Sequence, residues 1–144
     1  FVKILFGDLA EDKIILDPTL SIKLNKSVII GGGWKPGNST DFCAVLMAKN
    51  VGAKKIINLS NTDYVYDSDP KVNSNAKKIE KISWPEYRTI IPKEWNPGLN
   101  SPFDPVASEM AEKEGIEVII MNGKPIDNLA NYLNGEKFQG TVIK

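Results

Sequence analysis

Apolar residues fall along this chain in short runs divided by glycine, proline and polar clusters. Residues 2–6 (VKILF), 13–16 (KIIL), 27–30 (SVII), 54–59 (KKIINL), 117–121 (EVIIM) and 141–143 (TVI) are short and rich in β-branched side chains. Such runs, closed by turn-formers, predict strands, and 27–30 has the unbroken apolar character of a strand buried on both faces. Between them lie segments of helical length. Residues 41–51 (DFCAVLMAKNV) are apolar nearly all round, which predicts a buried helix, with Gly52 as its stop. Residues 83–91 offer Ser83 as a cap and Pro85 in the first turn. Residues 105–114 form an amphipathic pattern ended by Gly115, and residues 126–133 predict a last helix. Residues 92–105, rich in Pro, Asn and Gly, read as a long loop. Strands alternating with helices predict an α/β fold, a three-layer α/β/α sandwich with a mainly parallel sheet in a single domain.

Two polar stretches directly follow predicted strands, where ligands sit in open parallel sheets. The first is GGGWKPGNSTD, residues 31–41. It leads into a helix N-terminus, whose free N–H groups and dipole attract anions. Gly32, Gly33 and Gly37 let a phosphate approach the backbone. Asn38, Ser39 and Thr40 add donors, and Lys35 adds a mobile positive charge. The same bend also reads as a plain strand-to-helix turn with Ser39 or Thr40 as N-cap. It has no Gly-Lys-Ser/Thr ending and no G-x-G-x-x-G, so neither the P-loop nor the dinucleotide fingerprint is present. Asp41 is stabilised by the helix dipole, or it orients a lysine or Mg²⁺ beside bound phosphate. The second stretch, SNTDYVYDSDP at residues 60–70, offers Asp63, Asp67 and Asp69 with Tyr64 and Tyr66. An aromatic face plus a carboxylate suits a base and a ribose hydroxyl, while an ordinary solvated loop is the plainer reading. The glycine and terminal Glu of a calcium loop are missing.

Composition narrows the chemistry. Lys+Arg and Asp+Glu stand at 18 each, so no polyelectrolyte partner is implied and nucleic acid is not expected. There is no histidine, which excludes His-based triads, His proton shuttles and His metal sites; no metal-ligand set is assigned. Cys43 is the single cysteine, fitting a reducing, cytoplasmic setting, and its place on an apolar helix reads as core. No apolar run approaches the roughly 18 residues a membrane-spanning helix needs, so no membrane partner is expected. The lysine-rich residues 77–81 read as a solvated face, and Trp84 and Trp95 as packing or subunit-contact residues.

Taken in order, GGGWKPGNSTD with its buried helix, INLSNTDYVYDSDP, SPFDPVASEMAEKEGIEVIIMNG and NYLNGEKFQGTVI resemble the amino-acid-kinase superfamily. More narrowly they are similar to archaeal-type uridylate kinases, over residues 27–144. The resemblance implies ATP and Mg²⁺ as cofactors and phosphoryl transfer to UMP, giving UDP. Gly32, Gly33, Trp34, Lys35, Pro36, Gly37, Asn38, Ser39 and Thr40 match the segment contacting the acceptor's phosphate. Ser60, Asn61, Tyr66 and Asp69 match the ATP side, and Asp41 the phosphoryl-transfer centre. Tyr64 stands at a position where that family usually has glycine, and would be strained if that position needs positive φ. The family's opening strand and its lysine-glycine segment find no counterpart upstream. The chain, which starts inside an apolar run without Met, is therefore expected to be the C-terminal, ATP-side portion, inactive on UMP by itself. The family pattern also implies a homo-oligomer, a hexamer if it holds in full. Other acceptors (an amino acid, carbamate or isopentenyl phosphate) and a non-catalytic nucleotide-binding or storage module remain as alternatives.

Overall fold

A computed structural model describes residues 1–94 and 101–144; the expected role of Trp95 and part of the long loop at 92–105 lie outside the described residues. The elements in chain order are α1 (Val2–Phe6), a 3-10 turn (Gly7–Leu9), α2 (Thr40–Val51), β1 (Lys55–Ser60), β2 (Val65–Tyr66), β3 (Lys78–Ile79), β4 (Lys81–Ile82), α3 (Trp84–Ile90), α4 (Pro105–Lys113), β5 (Glu117–Asn122), α5 (Ile126–Leu133) and β6 (Thr141–Ile143).

Four strands form one sheet in the order β1-β5-β6-β4. β1 runs parallel to β5, from Lys55 beside Glu117 to Ser60 beside Asn122, and β4 runs parallel to β6. The β5–β6 ladder is antiparallel, so two of the three ladders are parallel. β2 and β3 make a separate antiparallel hairpin.

β5 is the centre of the molecule: Val118, Ile119, Ile120 and Met121 are all buried, as its unbroken apolar run requires. Its pleat divides them between two faces. Val118 and Ile120 join a core with Val45 and Ala48 of α2, Trp84 and Tyr87 of α3, Phe103, and Ala107 and Ala111 of α4. Ile143 of β6 belongs to that same core, so its neighbour Val142 points to the opposite face. Val142 there lines an open cavity of about 690 Å³ together with Pro125 and the α5 residues Asn128 and Asn131. Helices therefore flank the sheet on both faces.

The helices end where local chemistry says they should. Ser39 caps α2 by accepting from the Phe42 N–H at 3.0 Å, and Gly52 closes it in the left-handed region. Ser83 and Glu86 form a reciprocal capping box on α3, with Pro85 in its first turn. Asp104 caps α4 at Ala107 N–H, 2.7 Å.

Four expectations fail. Residues 2–6 are helical rather than extended, and none of them is buried. Residues 13–16 and 27–30 contribute only isolated parallel bridges, Ile15 to Gly31 and Ala10 to Val28, and 27–30 is exposed or half-buried rather than enclosed. A strand exists only if a neighbour takes its N–H and C=O groups. Residues 2–6 have no such neighbour, and short-range bonds such as Ile4 N–H to the Phe1 carbonyl replace the ladder. The polar stretch after β1, read as loop, instead contains β2.

Candidate functional site: the mouth of helix α2

The glycine bend brings the chain against α2 and then starts it. A Cβ on Gly31 would lie 2.2 Å from Met47 Sδ, so glycine lets the backbone cross the helix there without displacing that side chain. Beyond it the bend opens: Gly32 and Gly33 are exposed, and a side chain added at Gly33 would meet nothing within 4 Å. Lys35 to Asn38 make a tight turn closed by the Asn38 N–H on the Lys35 carbonyl, 3.2 Å, with the Asn38 side-chain amide on the same oxygen. Gly37 takes φ +86° in that turn. Lys35 Nζ lies 4.5 Å over the Trp34 ring. Ser39 is fully engaged as the cap, whereas Thr40 is exposed in the first turn. The plain capping reading thus holds for Ser39; at the start of the bend the Gly32 N–H donates to the Ile15 carbonyl at 3.0 Å, while Gly33 stays exposed.

Asp41 is the chemically unusual residue. It is half-buried, and its Oδ2 accepts the Asp104 N–H at 3.0 Å. Asn58 of β1 places its Nδ2 3.4 Å from Asp41 Oδ1 and donates to the Pro102 carbonyl at 3.1 Å. Burial pushes the Asp41 carboxyl above its usual range; the Asp104 N–H opposes this, and the adjacent Asp104 carboxylate adds to it. Behind this cluster Tyr87 Oη donates to the Phe103 carbonyl at 2.9 Å and accepts the Phe103 N–H at 2.8 Å. That fixes residues 101–104 against Asp41, and burial raises the Tyr87 hydroxyl well above its ordinary value. Asn58, Tyr87 and Asp104 were not singled out by sequence. Asp-Pro at a helix start does signal a cap, but nothing local shows that Asp104 meets a residue 63 positions away.

The second stretch begins at Ser60, the last residue of β1 and two positions beyond Asn58, so both lie on the same sheet face as Asp41. Asn61 and Asp69 are exposed, and Tyr66 is half-buried, edge-on to Tyr64 at 6.4 Å between ring centres. The carboxylates have separate duties: Asp67 accepts the Lys77 N–H at 2.9 Å, Asp69 the Lys71 N–H at 2.9 Å, and Asp63 the Asn122 side-chain amide at 2.8 Å. They do not converge, and among the described residues no three acidic or thiol side chains gather as metal ligands. Tyr64 is not strained, because among the described residues positive φ occurs only at glycines. No hydrogen bond among the described residues joins the bend to this loop.

Residues 10–122, spanning both stretches, match the Amino acid kinase family. The chain belongs to that family. Within it, the chain is 33% identical over 116 residues to a uridylate kinase of Hyperthermus butylicus, covering 81% of this chain and 51% of that protein. It is 33% identical over 140 residues to a uridylate kinase of Methanobrevibacter smithii, covering 95% of this chain and 62% of that one. The crystal structure of uridylate kinase from Archaeoglobus fulgidus superposes with a TM-score of 0.78 at 30% identity, over 99% of this chain and 65% of its own. The chain thus spans about half to two thirds of the length of these amino acid kinase relatives. Among the described residues, no helix is long and apolar enough to cross a membrane.

Proposed function

We propose that this chain is the ATP-side, single-domain portion of a uridylate kinase, which transfers the γ-phosphoryl group of Mg-ATP to UMP and yields ADP and UDP. The observation that carries the reading is Asp41: a carboxylate held at the α2 N-terminus by the Asp104 N–H, beside an exposed glycine bend. The uridylate kinase relatives supply the substrates.

In this reading the bend, Gly32 to Thr40, receives the acceptor's phosphate through the helix dipole and through backbone N–H groups other than those of Gly32 and Asn38, which are already bonded to carbonyls. Lys35 leaves the Trp34 ring to pair with it. Ser60, Asn61, Tyr66 and Asp69 hold the ATP, the base against Tyr66 and the ribose at Asp69. Asp41 orders the transferring group from the helix mouth. Such transfer runs on positioning and charge stabilisation, so a site without histidine serves. Mg²⁺ takes one or two carboxylates plus substrate phosphates and keeps its waters, which fits a site offering Asp41 and no cage of its own. It would neutralise phosphate charge. The single, buried Cys43 suits the cytoplasm.

Calorimetric titration of the 144-residue protein with Mg-ATP tests the ATP side. Saturable binding is expected, weakened by Asp69→Ala and Tyr66→Ala; no heat of binding in the folded wild type would overturn the reading. A coupled assay should show no UDP from this chain with UMP, and UDP formation would reject its being a donor-side portion.

A further inference from the structure

Thr141 is fully buried at the start of β6, and its side chain does something its backbone does not. Thr141 Oγ1 accepts the Val65 N–H at 2.8 Å and donates its own hydrogen to the Ile79 carbonyl at 2.5 Å. Val65 and Ile79 are opposite one another in the β2–β3 hairpin. One hydroxyl therefore grips both strands of the hairpin at the same rung and ties them to the four-stranded sheet, to which they do not otherwise belong.

The residue before it prepares that grip. A Cβ on Gly140 would lie 2.7 Å from the Ile120 carbonyl oxygen and 2.9 Å from the Phe138 ring. Only glycine lets β6 begin so close to the end of β5, and that closeness aims Thr141 at the hairpin. Asn128 of α5 braces the approach, accepting the Gln139 N–H and donating to the Gln139 carbonyl, both at 2.7 Å.

We infer that Thr141 is a positioning residue for nucleotide binding: its hydroxyl sets the β2–β3 hairpin, and through it Tyr66 and the turn at Asp69, at the carboxyl end of the sheet. This rests on the proposal that Ser60 to Asp69 hold ATP. Apolar contacts through Val65 and Ile79 also attach the hairpin, but they carry no direction, whereas two hydrogen bonds from one oxygen fix rotation and register.

The test separates the hydroxyl from the methyl group. Thr141→Ser keeps the oxygen and loses the methyl; Thr141→Val keeps the shape and loses the oxygen. Backbone hydrogen exchange is read at Val65 and, as an internal reference, at Ile119 of β5, alongside Mg-ATP affinity. Thr141→Ser should hold affinity within about threefold and keep the Val65 amide protected. In Thr141→Val, which loses both hydrogen bonds, the Val65 amide should exchange at least about tenfold faster while Ile119 stays slow, with affinity falling about tenfold. Equal protection and affinity in Thr141→Val and wild-type protein, or loss in the serine variant matched by none in the valine variant, overturns the assignment. Should Thr141→Val fail to fold, Thr141→Ala provides the same comparison against Thr141→Ser, and the same reversed pattern overturns it. Wild-type protein that ignores Mg-ATP would sink the proposed function, while Val65 exchange would still decide what Thr141 holds.

Discussion

The segment before α2 and the body that follows it use similar apolar residues to opposite effect. Leu5 is 70% exposed and Phe103 is 0% exposed. Both halves offer short β-branched or leucine-rich runs, but only the second has neighbouring strands to complete them and helices to cover them. Residues 117–122 become the buried spine of a sheet, with β1 on one side and β6 on the other. Residues 27–31 obtain single bridges, and residues 2–6 coil into a short helix. Hydrophobicity selects burial; pairing selects the strand.

That contrast is broken or sharpened most strongly at Phe103. Phe103→Ala should cost about 3–5 kcal/mol, because the ring fills space beside Trp84. Leu5→Ala should stay within about 0.5 kcal/mol. Urea denaturation of both decides it, and comparable losses would mean that the first segment belongs to the same core. Next in size, Ser39→Ala removes the side-chain cap at the α2 mouth and should cost about 1 kcal/mol, read by thermal unfolding.

The smallest effect is in pH dependence. The folded Asp41 carboxyl titrates above its unfolded value of 3.8, so the folded state holds the extra proton between those two values. Stability then falls as pH rises through that window, opposite to the usual aspartate case. Because the Glu11, Asp12, Asp17, Glu80, Glu86 and Glu114 carboxyls are held below their usual range and act in the opposite sense, the decline is read as a difference: followed upward from pH 4, the melting temperature of the wild type should fall relative to that of Asp41→Asn. An unchanged slope would remove the burial strain assigned to the site.

Much of the body was legible in sequence because its signals are local. Residues 41–51 carry helical length, a Ser cap and a glycine stop, and residues 126–133 and 141–143 came out with the predicted bounds. The candidate site was legible in part. The bend and Asp41 stand out because three glycines and a run of donors precede an apolar helix. Asn58 and Asp104 escaped notice because what makes them matter is a meeting across the sheet and the α4 loop. The β2–β3 hairpin escaped because two-residue strands have no periodicity to read, and its anchor Thr141 lies 76 positions from Val65.

The strand pairings also dictate an order of assembly. β1 stays an unpaired edge until β5 is made, and the hairpin lacks its tether until Thr141 arrives. A nascent chain growing at roughly 5–20 residues per second must therefore shelter those strands for seconds. Residues 60–69 are therefore among the last parts to set, because the anchor of their hairpin is Thr141.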